Sequence, residues 1–360
     1  MTEKASNENS ISENQDDLFE HYSFEVDPGQ QPLRVDRFLV DRLPNTSRNK
    51  IQNAAVSSCI RANDKPVKSN YKVRPGDKIS LVLPYPPRVI ELIPEDIPLE
   101  VVHEDDDIVI VNKQAGLVVH PGYGNYSGTL VNALIYHFQN LPNAQIKGYG
   151  GEEVEENTDG TRPGLVHRLD KNTTGLMVIA KSDIALTKLA RQFFDRTVKR
   201  SYVALVWGDL EDDEGTITGH VGRSLKNRKV MAVYPEGDQG KHAVTHFKVL
   251  ERFRYVTLIQ CRLETGRTHQ IRIHMKHLGH PLFSDNEYGG DKILKGLSSN
   301  KYNQFIKNCF NLLPRQALHA KTLGFIHPST GEEILRDSEI PEDITAVLEK
   351  WRIYTSSMKD

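Results

Sequence analysis

The stretch HRLDKNTTGLMVIAK, residues 167–181, joins a cluster of charged side chains to an apolar run. Residues 176–180 are a short apolar run with β-branched side chains, which predicts a buried strand. The side chains directly before that strand include His167, Arg168, Asp170 and Lys171. A rigid strand with a charged loop at its entrance is a common way for a scaffold to present reactive groups. Asp170 is therefore a candidate for chemistry, although an Asp that caps a turn beside a surface Arg gives the same pattern.

The chain on both sides of this strand predicts an α+β domain around a mixed, largely antiparallel sheet. Alternating or continuous apolar runs predict strands at 108–113, 199–208, 214–221, 229–234, 243–250, 255–263, 317–325 and 332–335. Helical spacing predicts helices at 129–138, at 183–195 with Asp183 as the cap, and at 342–351. Strands with helices between and after them are typical of this fold class.

Residues 31–88 form a separate and strongly basic segment. They carry twelve Lys or Arg against four Asp, a net charge of +8, whereas the whole chain has −2. Two short helices are predicted at 33–44 and 48–57, followed by short strands within 59–83. A small unit of this charge indicates nucleic-acid binding, although a solvated basic face would have the same composition. The candidate contacts with RNA are Arg37, Arg42, Arg48 and Lys50.

Composition also marks the remaining segments. Residues 1–30 carry one Lys against eight acidic residues, and their polar composition predicts a disordered tail. A Pro-rich spacer at 84–87 separates the basic segment from a second domain, 89–360. Residues 140–163 are rich in Gly, Asn and Glu and predict a mobile loop, either a lid over the opening stretch or an idle surface loop.

The composition argues against membrane and secreted classes. No run approaches 18 uninterrupted apolar residues, and the polar N-terminus has no signal-peptide core. The three cysteines are odd in number and far apart, which indicates a reducing compartment; they are Cys59, Cys261 and Cys309. We expect a cytoplasmic protein and, by default, a monomer.

The sequence gives no support for a metal or a cofactor. Four histidines are clustered, but no nearby Asp, Glu or Cys completes a ligand set; they are His269, His274, His277 and His280. The chain also lacks the glycine-rich patterns that bind dinucleotides or nucleoside triphosphates.

A second charged cluster, ETGRTHQIRIHM at 264–275, also follows a strand and contains a Gly. Arg267 and Arg272 are five positions apart, so on a helix they point in different directions and only one can pair with Asp170. Such a partner lowers the pKa of a buried carboxyl and keeps it ionised. An ionised Asp in an enclosed site is a usable nucleophile.

Five motifs, in this order, resemble the RluA/RluD family of RNA pseudouridine synthases. They are NKQAGLVVHPG (112–122), HRLDKNTTGLMVIAKS (167–182), KRSYVALVWG (199–208), ETGRTHQIRIHM (264–275) with GHPLFSD (279–285), and QALHAKTL (316–323). The basic segment resembles the alpha-L RNA-binding motif of ribosomal proteins, as in the RluD-like branch. One departure is Ser284, where the family often has Gly, and it puts the local turn in doubt.

The resemblance implies an RNA uridine isomerase that needs neither metal nor cofactor. It implies that Asp170 attacks the anomeric carbon of the target ribose or assists glycal formation, with Arg272 as its partner. Tyr202 would stack on the base and help to remove its C5 proton. Arg168 would fill the gap left by a flipped nucleotide, since the reacting atoms are inaccessible in stacked RNA. Further candidates for substrate binding are Leu318, Arg267, His269 and Lys113.

The resemblance further implies large-subunit ribosomal RNA as the substrate. The same chemistry on transfer RNA is one alternative. A non-catalytic RNA-binding or ribosome-assembly factor is another, and the intact Asp170, Tyr202 and Arg272 argue against it. A third alternative is an N-glycosidase that releases the base instead of reattaching it.

Overall fold

The computed structural model describes residues 18–43, 46–83, 92–122, 125–138, 141–142, 163–227 and 230–358. The chain divides into two compact units, Met1–Val89 and Ile90–Asp360. The predictions for residues 1–17, for the 84–87 spacer and for most of the 140–163 loop lie outside the described residues. None of the described helices is long and apolar enough to cross a membrane.

The first unit combines two helices with short strands. Its elements are β1 (Phe19–Glu25), β2 (Leu33–Arg34), α1 (Val35–Val40), α2 (Arg48–Val56), β3 (Ile60–Ala62), β4 (Lys65–Pro66), β5 (Lys72–Val73) and β6 (Lys78–Leu83). The main sheet has the order β1-β6-β3-β4, and β2 pairs separately with β5. Phe38 and Leu39 of α1 pack with Ile51 of α2 in the core. The Ser47 hydroxyl caps α2 by accepting the Lys50 N–H.

Two predictions for this unit are wrong. Residues Phe19–Glu25 are not part of a disordered tail, because they pair antiparallel with β6 and Glu20 lies 3.1 Å from the Lys78 ammonium. The acidic composition of these residues does not predict a strand. The strand forms because it pairs with β6, which lies about sixty residues further along the chain. Leu33 is not in the first helix either, since it pairs with Val73 and the helix begins at Val35.

The second unit is an α+β domain around one large sheet, which confirms the predicted fold class. Its strands are β7 (Val101–Glu104), β8 (Ile108–Lys113), β9 (Thr174–Ala180), β10 (Lys199–Trp207), β11 (Glu214–Arg223), β12 (Met231–Tyr234), β13 (Lys241–Arg252), β14 (Val256–Leu263), β15 (Leu318–Ile326) and β16 (Glu333–Asp337). Its helices are α3 (Leu130–His137), α4 (Asp183–Phe194), α5 (Gln270–His277), α6 (Asn300–Leu312) and α7 (Glu342–Ser356).

The sheet has the order β12-β11-β13-β14-β10-β15-β9-β8-β7, with β16 on β15. Its pairings are antiparallel except for β9 with β15. All seven residues of β9 are buried. Met177 and Ile179 enter one core, whereas Leu176 and Val178 enter the core on the other face. This burial on both faces explains the continuous apolar run of the opening stretch.

The parallel pairing of β9 with β15 depends on Gly175. Its φ is +119°, and a Cβ there would lie 2.2 Å from the carbonyl oxygen of Ala320. Only glycine therefore allows the two strands to approach this closely. The pairing places the loop that contains Asp170 beside the start of β15.

Smaller differences from the sequence predictions concern caps and one helix. Ser182, not Asp183, caps α4, because the Ser182 hydroxyl accepts the Ala185 N–H. The sequence analysis missed α6. Ser284, the departure from the family pattern, adopts the left-handed conformation with φ 61°, which explains why glycine suits this position.

Candidate active site

The loop that contains Asp170 is held by contacts to its backbone and to Thr173. The Lys113 ammonium donates to the Lys171 carbonyl (3.0 Å), and the Arg315 guanidinium donates to the Asn172 carbonyl (3.0 Å). The Gln316 amide donates to the Thr173 hydroxyl (3.2 Å). These bonds fix the chain immediately after Asp170, so the carboxylate is carried by a rigid loop rather than a mobile one.

Lys113 supports this loop from the end of β8. Its side chain is buried, and its ammonium also donates to the carbonyls of Gln114 (2.8 Å) and Leu117 (2.9 Å). Burial lowers the pKa of Lys113 to about 7, while the charge of Asp170 opposes that shift. Lys113 is absent from the lining of the cleft described below, so its contact with substrate stays a prediction.

Arg272 is the arginine that pairs with Asp170. Its Nη1 lies 3.2 Å from Oδ2 of Asp170, across 102 positions of sequence. The alternative, Arg267, precedes α5 rather than lying on it, and its Nε donates to the carbonyl of His242. The helix begins at Gln270, so the helical spacing between Arg267 and Arg272 does not apply.

Two further carboxylates hold Arg272, and the sequence analysis missed both roles. Asp285 accepts from Nε (2.7 Å) and Nη2 (2.8 Å), and Glu287 accepts from Nη2 at 2.5 Å. Asp285 is fully buried, whereas 45% of the Glu287 side chain is exposed. Asp285 lies within the GHPLFSD motif, but nothing in the sequence indicates which side chain it contacts.

The charges around Asp170 favour its ionised form. Burial alone would raise the pKa of Asp170, but the charge that His269 carries when protonated, together with the charges of Arg272 and Arg168, outweighs burial and lowers it. Burial also lowers the pKa of His269, against the pull of Asp170, so this imidazole is neutral at pH 7. At neutral pH, Arg272 and Arg168 are therefore the cations that keep Asp170 ionised.

His269 stands beside Asp170 at the start of α5. Its Nε2 lies 3.8 Å from Oδ1 of Asp170, and its Nδ1 lies 2.8 Å from the Tyr288 hydroxyl. The backbone of His269 is left-handed, with φ 56° and ψ 23°. This conformation is strained for a residue with a Cβ, so it is maintained by the surrounding contacts.

Asp170 opens into a cleft of about 560 Å³, counting the part open to solvent. Seven of the eight site residues predicted in this unit line it; they are Arg168, Asp170, Tyr202, Arg267, His269, Arg272 and Leu318. Tyr202 and Leu318 are buried, on β10 and β15. Arg200 also lines the cleft and was missed; its guanidinium lies over the Phe193 ring, 5.4 Å from the centroid.

His167 and Lys171, two other polar residues of the opening stretch, contact the protein itself. The His167 ring stacks on Phe193, and its Nε2 accepts the Val178 N–H at 3.1 Å. Burial, with a smaller contribution from Arg200, lowers the pKa of His167 to about 3, so it is a neutral acceptor. Lys171 extends to the Asn125 amide oxygen at 3.3 Å.

Among the described residues, no group of three or more His, Cys, Asp or Glu side chains is arranged to hold a metal ion. His274, one of the clustered histidines, is fully buried on α5. Burial, with a smaller contribution from His277, lowers the pKa of His274 to about 4.

In the first unit, the four predicted RNA contacts fall into two groups. Arg37 and Lys50 are exposed. Arg48 donates to the buried Asp36 (3.1 Å), and Arg42 lies 3.9 Å over the Phe38 ring. Arg48 therefore joins the two helices, and Arg42 packs on the first one, while both remain partly exposed.

The chain is similar to known proteins. Residues 107–277 match the family described as RNA pseudouridylate synthase, and residues 33–79 match the S4 domain. The chain is 46% identical to an "uncharacterized RNA pseudouridine synthase" of Chlorobaculum parvum, over 93% of this chain and 99% of that protein. It is 38% identical to "ribosomal large subunit pseudouridine synthase D" of Haemophilus influenzae, over 91% of this chain and 93% of that protein.

One solved structure has a similar fold. It is human RNA pseudouridylate synthase domain containing 4, with a TM-score of 0.52 and 22% identity. The match covers 70% of this chain and 93% of that chain.

Proposed function

This chain belongs to the RNA pseudouridylate synthase family and is an isomerase of uridine in RNA, and we propose that its substrate is large-subunit ribosomal RNA. Two relatives named ribosomal large subunit pseudouridine synthase D match 86% and 91% of this chain, and residues 33–79 of this chain match the S4 domain. The observation that supports a catalytic assignment best is the Asp170–Arg272 pair at 3.2 Å inside the cleft.

In the proposed reaction, Asp170 acts on the ribose of the target uridine. Its carboxylate attacks the anomeric carbon, or removes a ribose proton to form a glycal, and the bond from N1 to that carbon breaks. The uracil rotates, and C5 bonds to the same carbon as the Asp170–carbon bond breaks or, by the glycal route, as Asp170 returns the proton to the ribose. The C5 proton then leaves, and N1 gains a proton, so the product is an isomer of the substrate. Arg272 and Arg168 keep the carboxylate ionised for the first step.

The walls of the cleft suit a single flipped base. Tyr202 and Leu318 supply buried aromatic and apolar surface next to Asp170. A uracil can stack there while its ribose faces the carboxylate. The base must leave the RNA stack to reach this position, and Arg168 at the cleft is placed to occupy the space that it leaves.

The first unit serves as an RNA-binding arm in this proposal. Its net charge of +8 between residues 31 and 88 suits contacts with phosphates, which give affinity but little sequence specificity. Full-length protein carrying Arg37→Gln and Lys50→Gln should bind ribosomal RNA with a salt slope reduced by roughly 0.7–0.9 for each lost phosphate contact. An unchanged slope would argue against these two contacts.

The compartment that we propose is the cytoplasm. All three cysteines are free thiols, and Cys261 and Cys309 are buried, which suits a reducing environment.

Mapping of pseudouridines in cells that lack the protein tests the substrate. We expect the loss of specific pseudouridines from large-subunit ribosomal RNA, restored by the wild-type gene. Loss from transfer RNA alone would replace the substrate proposed here with the alternative one.

A further inference from the structure

Tyr288 fixes the position of the proton on His269. The Tyr288 oxygen accepts the Met231 backbone N–H at 3.0 Å, and the same hydroxyl lies 2.8 Å from Nδ1 of His269. Tyr288 is 2% exposed, and in the described part of the chain these two groups are the only hydrogen-bond partners of its hydroxyl. The hydroxyl proton must therefore point to Nδ1, because a buried donor without an acceptor is costly. Burial raises the pKa of Tyr288, so this proton is retained.

The consequence reaches Asp170. When Nδ1 of a neutral imidazole is an acceptor, the ring proton lies on Nε2. Nε2 is the atom that faces Oδ1 of Asp170, at 3.8 Å. The other tautomer would direct a lone pair at this oxygen and repel the carboxylate. Glu287 competes weakly for Nδ1, since its carboxylate oxygen is 3.6 Å away.

Each oxygen of Asp170 therefore faces a different donor. Oδ2 is bonded to Arg272 at 3.2 Å, and Oδ1 faces the Nε2–H of His269 across a longer gap. The strained left-handed backbone of His269 places the ring between the Tyr288 hydroxyl and Asp170.

We propose that His269 and Tyr288 are positioning residues for the reaction, with Tyr288 selecting the imidazole tautomer that orients Asp170. This inference rests on the proposed role of Asp170. Tyr288 and His269 together set the rotation of the carboxylate about its Cβ–Cγ bond. Loss of the Tyr288 hydroxyl should lower kcat and leave KM unchanged, because Tyr288 is buried and does not line the cleft.

Tyr288→Phe is the main test, because it removes one hydroxyl and keeps the packed ring. We expect kcat on large-subunit ribosomal RNA to fall by roughly tenfold, the lower end for loss of a residue that orients a reactive group. Nitrogen NMR of the full-length protein with ¹⁵N-labelled histidine should show the Nε2–H form of His269 in the wild type and a mixture in the variant.

Tyr302→Phe is the matched control. Tyr302 is 1% exposed and its hydroxyl donates to the Lys295 carbonyl at 2.7 Å, so it loses a comparable buried bond outside the cleft. This control should keep the wild-type kcat. A wild-type kcat in Tyr288→Phe, or an unchanged tautomer, would overturn the inference.

A second pair of variants keeps the test decisive if Tyr288→Phe unfolds. His269→Gln retains an N–H donor near the place of Nε2, whereas His269→Ala has none. We expect the Gln variant to retain more kcat than the Ala variant, and equal losses would overturn the inference. If Asp170→Asn still makes pseudouridine, the proposed function fails instead, so the two failures are distinguishable.

Discussion

Replacement of Arg272 by Lys should separate charge from geometry at the site. The guanidinium makes four bonds to three carboxylates, two of them to the fully buried Asp285. A lysine ammonium has three N–H bonds on one nitrogen, so at least one of the four must be lost. The weakest is the 3.2 Å bond to Asp170.

The expected magnitude follows from that single bond. A hydrogen bond to a charged group contributes about 1.5–3 kcal/mol. If this bond is also needed to hold Asp170 for attack, its loss lowers kcat by roughly 10- to 100-fold, at about 1.4 kcal/mol for each factor of ten. The free energy of unfolding should fall by a similar amount.

The dependence of rate on pH should change in a defined direction. Asp170 has a lowered pKa because nearby positive charges outweigh its burial. With a weaker Arg272 contact, burial has less opposition and the pKa rises. The rate requires the carboxylate, so the acid limb of kcat should move to higher pH. Stability contributed by this group is present above the unfolded pKa and is lost as pH falls through the folded pKa, so it too is lost at a higher pH.

The assay is release of tritium from RNA labelled at C5 of uridine, because isomerisation transfers that hydrogen to water. Denaturant unfolding measures stability. Arg352→Lys is the control: Arg352 also binds two carboxylates, Glu251 and Glu349, but lies on α7 and does not line the cleft. A wild-type kcat and pH profile in Arg272→Lys would refute the role of the guanidinium geometry.

Three further predictions concern the support of the site and the arm. Gly175→Ala should destabilise the protein by about 1–3 kcal/mol more than Gly116→Ala in denaturant unfolding, because both have positive φ but only a Cβ at 175 meets backbone; equal losses would contradict the close β9–β15 approach. Lys113→Met should leave three carbonyls without their donor, so the free energy of unfolding should fall by at least about 2 kcal/mol and kcat should also fall. An unchanged free energy of unfolding would contradict the role of Lys113 in holding the loop. Asp36→Asn removes a buried charge that accepts hydrogen bonds from Arg34, Arg48 and Gln52. The free energy of unfolding of the first unit should fall by roughly 3 kcal/mol, so this unit should unfold at a lower denaturant concentration. An unshifted transition would contradict this prediction.

The sequence predicted the scaffold of the site well, for local reasons. The apolar run at 176–180 required burial on both faces, and β9 has it. The five motifs placed Asp170, Tyr202 and Leu318 at the ends or starts of strands, and the sheet brings them to one cleft. Helical spacing left Arg267 and Arg272 as alternatives; the family resemblance implied Arg272, and Arg272 is the one that bonds to Asp170 in the structure.

The roles that the sequence did not predict depend on tertiary contacts. Lys113 appears in sequence as an ordinary charged loop residue, yet three carbonyls from two loops surround its ammonium. Asp285 and Tyr288 follow a left-handed turn at Ser284, so no helical or strand periodicity indicates their direction. Strand β1 was missed because its partner, β6, determines its structure and its own composition is acidic.

In the proposed reaction, the ionised Asp170 performs the chemistry. Asp170→Asn in the full-length protein tests it most directly, because the amide keeps the shape of the side chain and removes its charge. Large-subunit ribosomal RNA from cells that lack the protein is the substrate, and pseudouridine formation is measured beside RNA affinity. We predict no product from the variant and RNA binding equal to that of the wild type. Product formed at the wild-type rate would contradict the account.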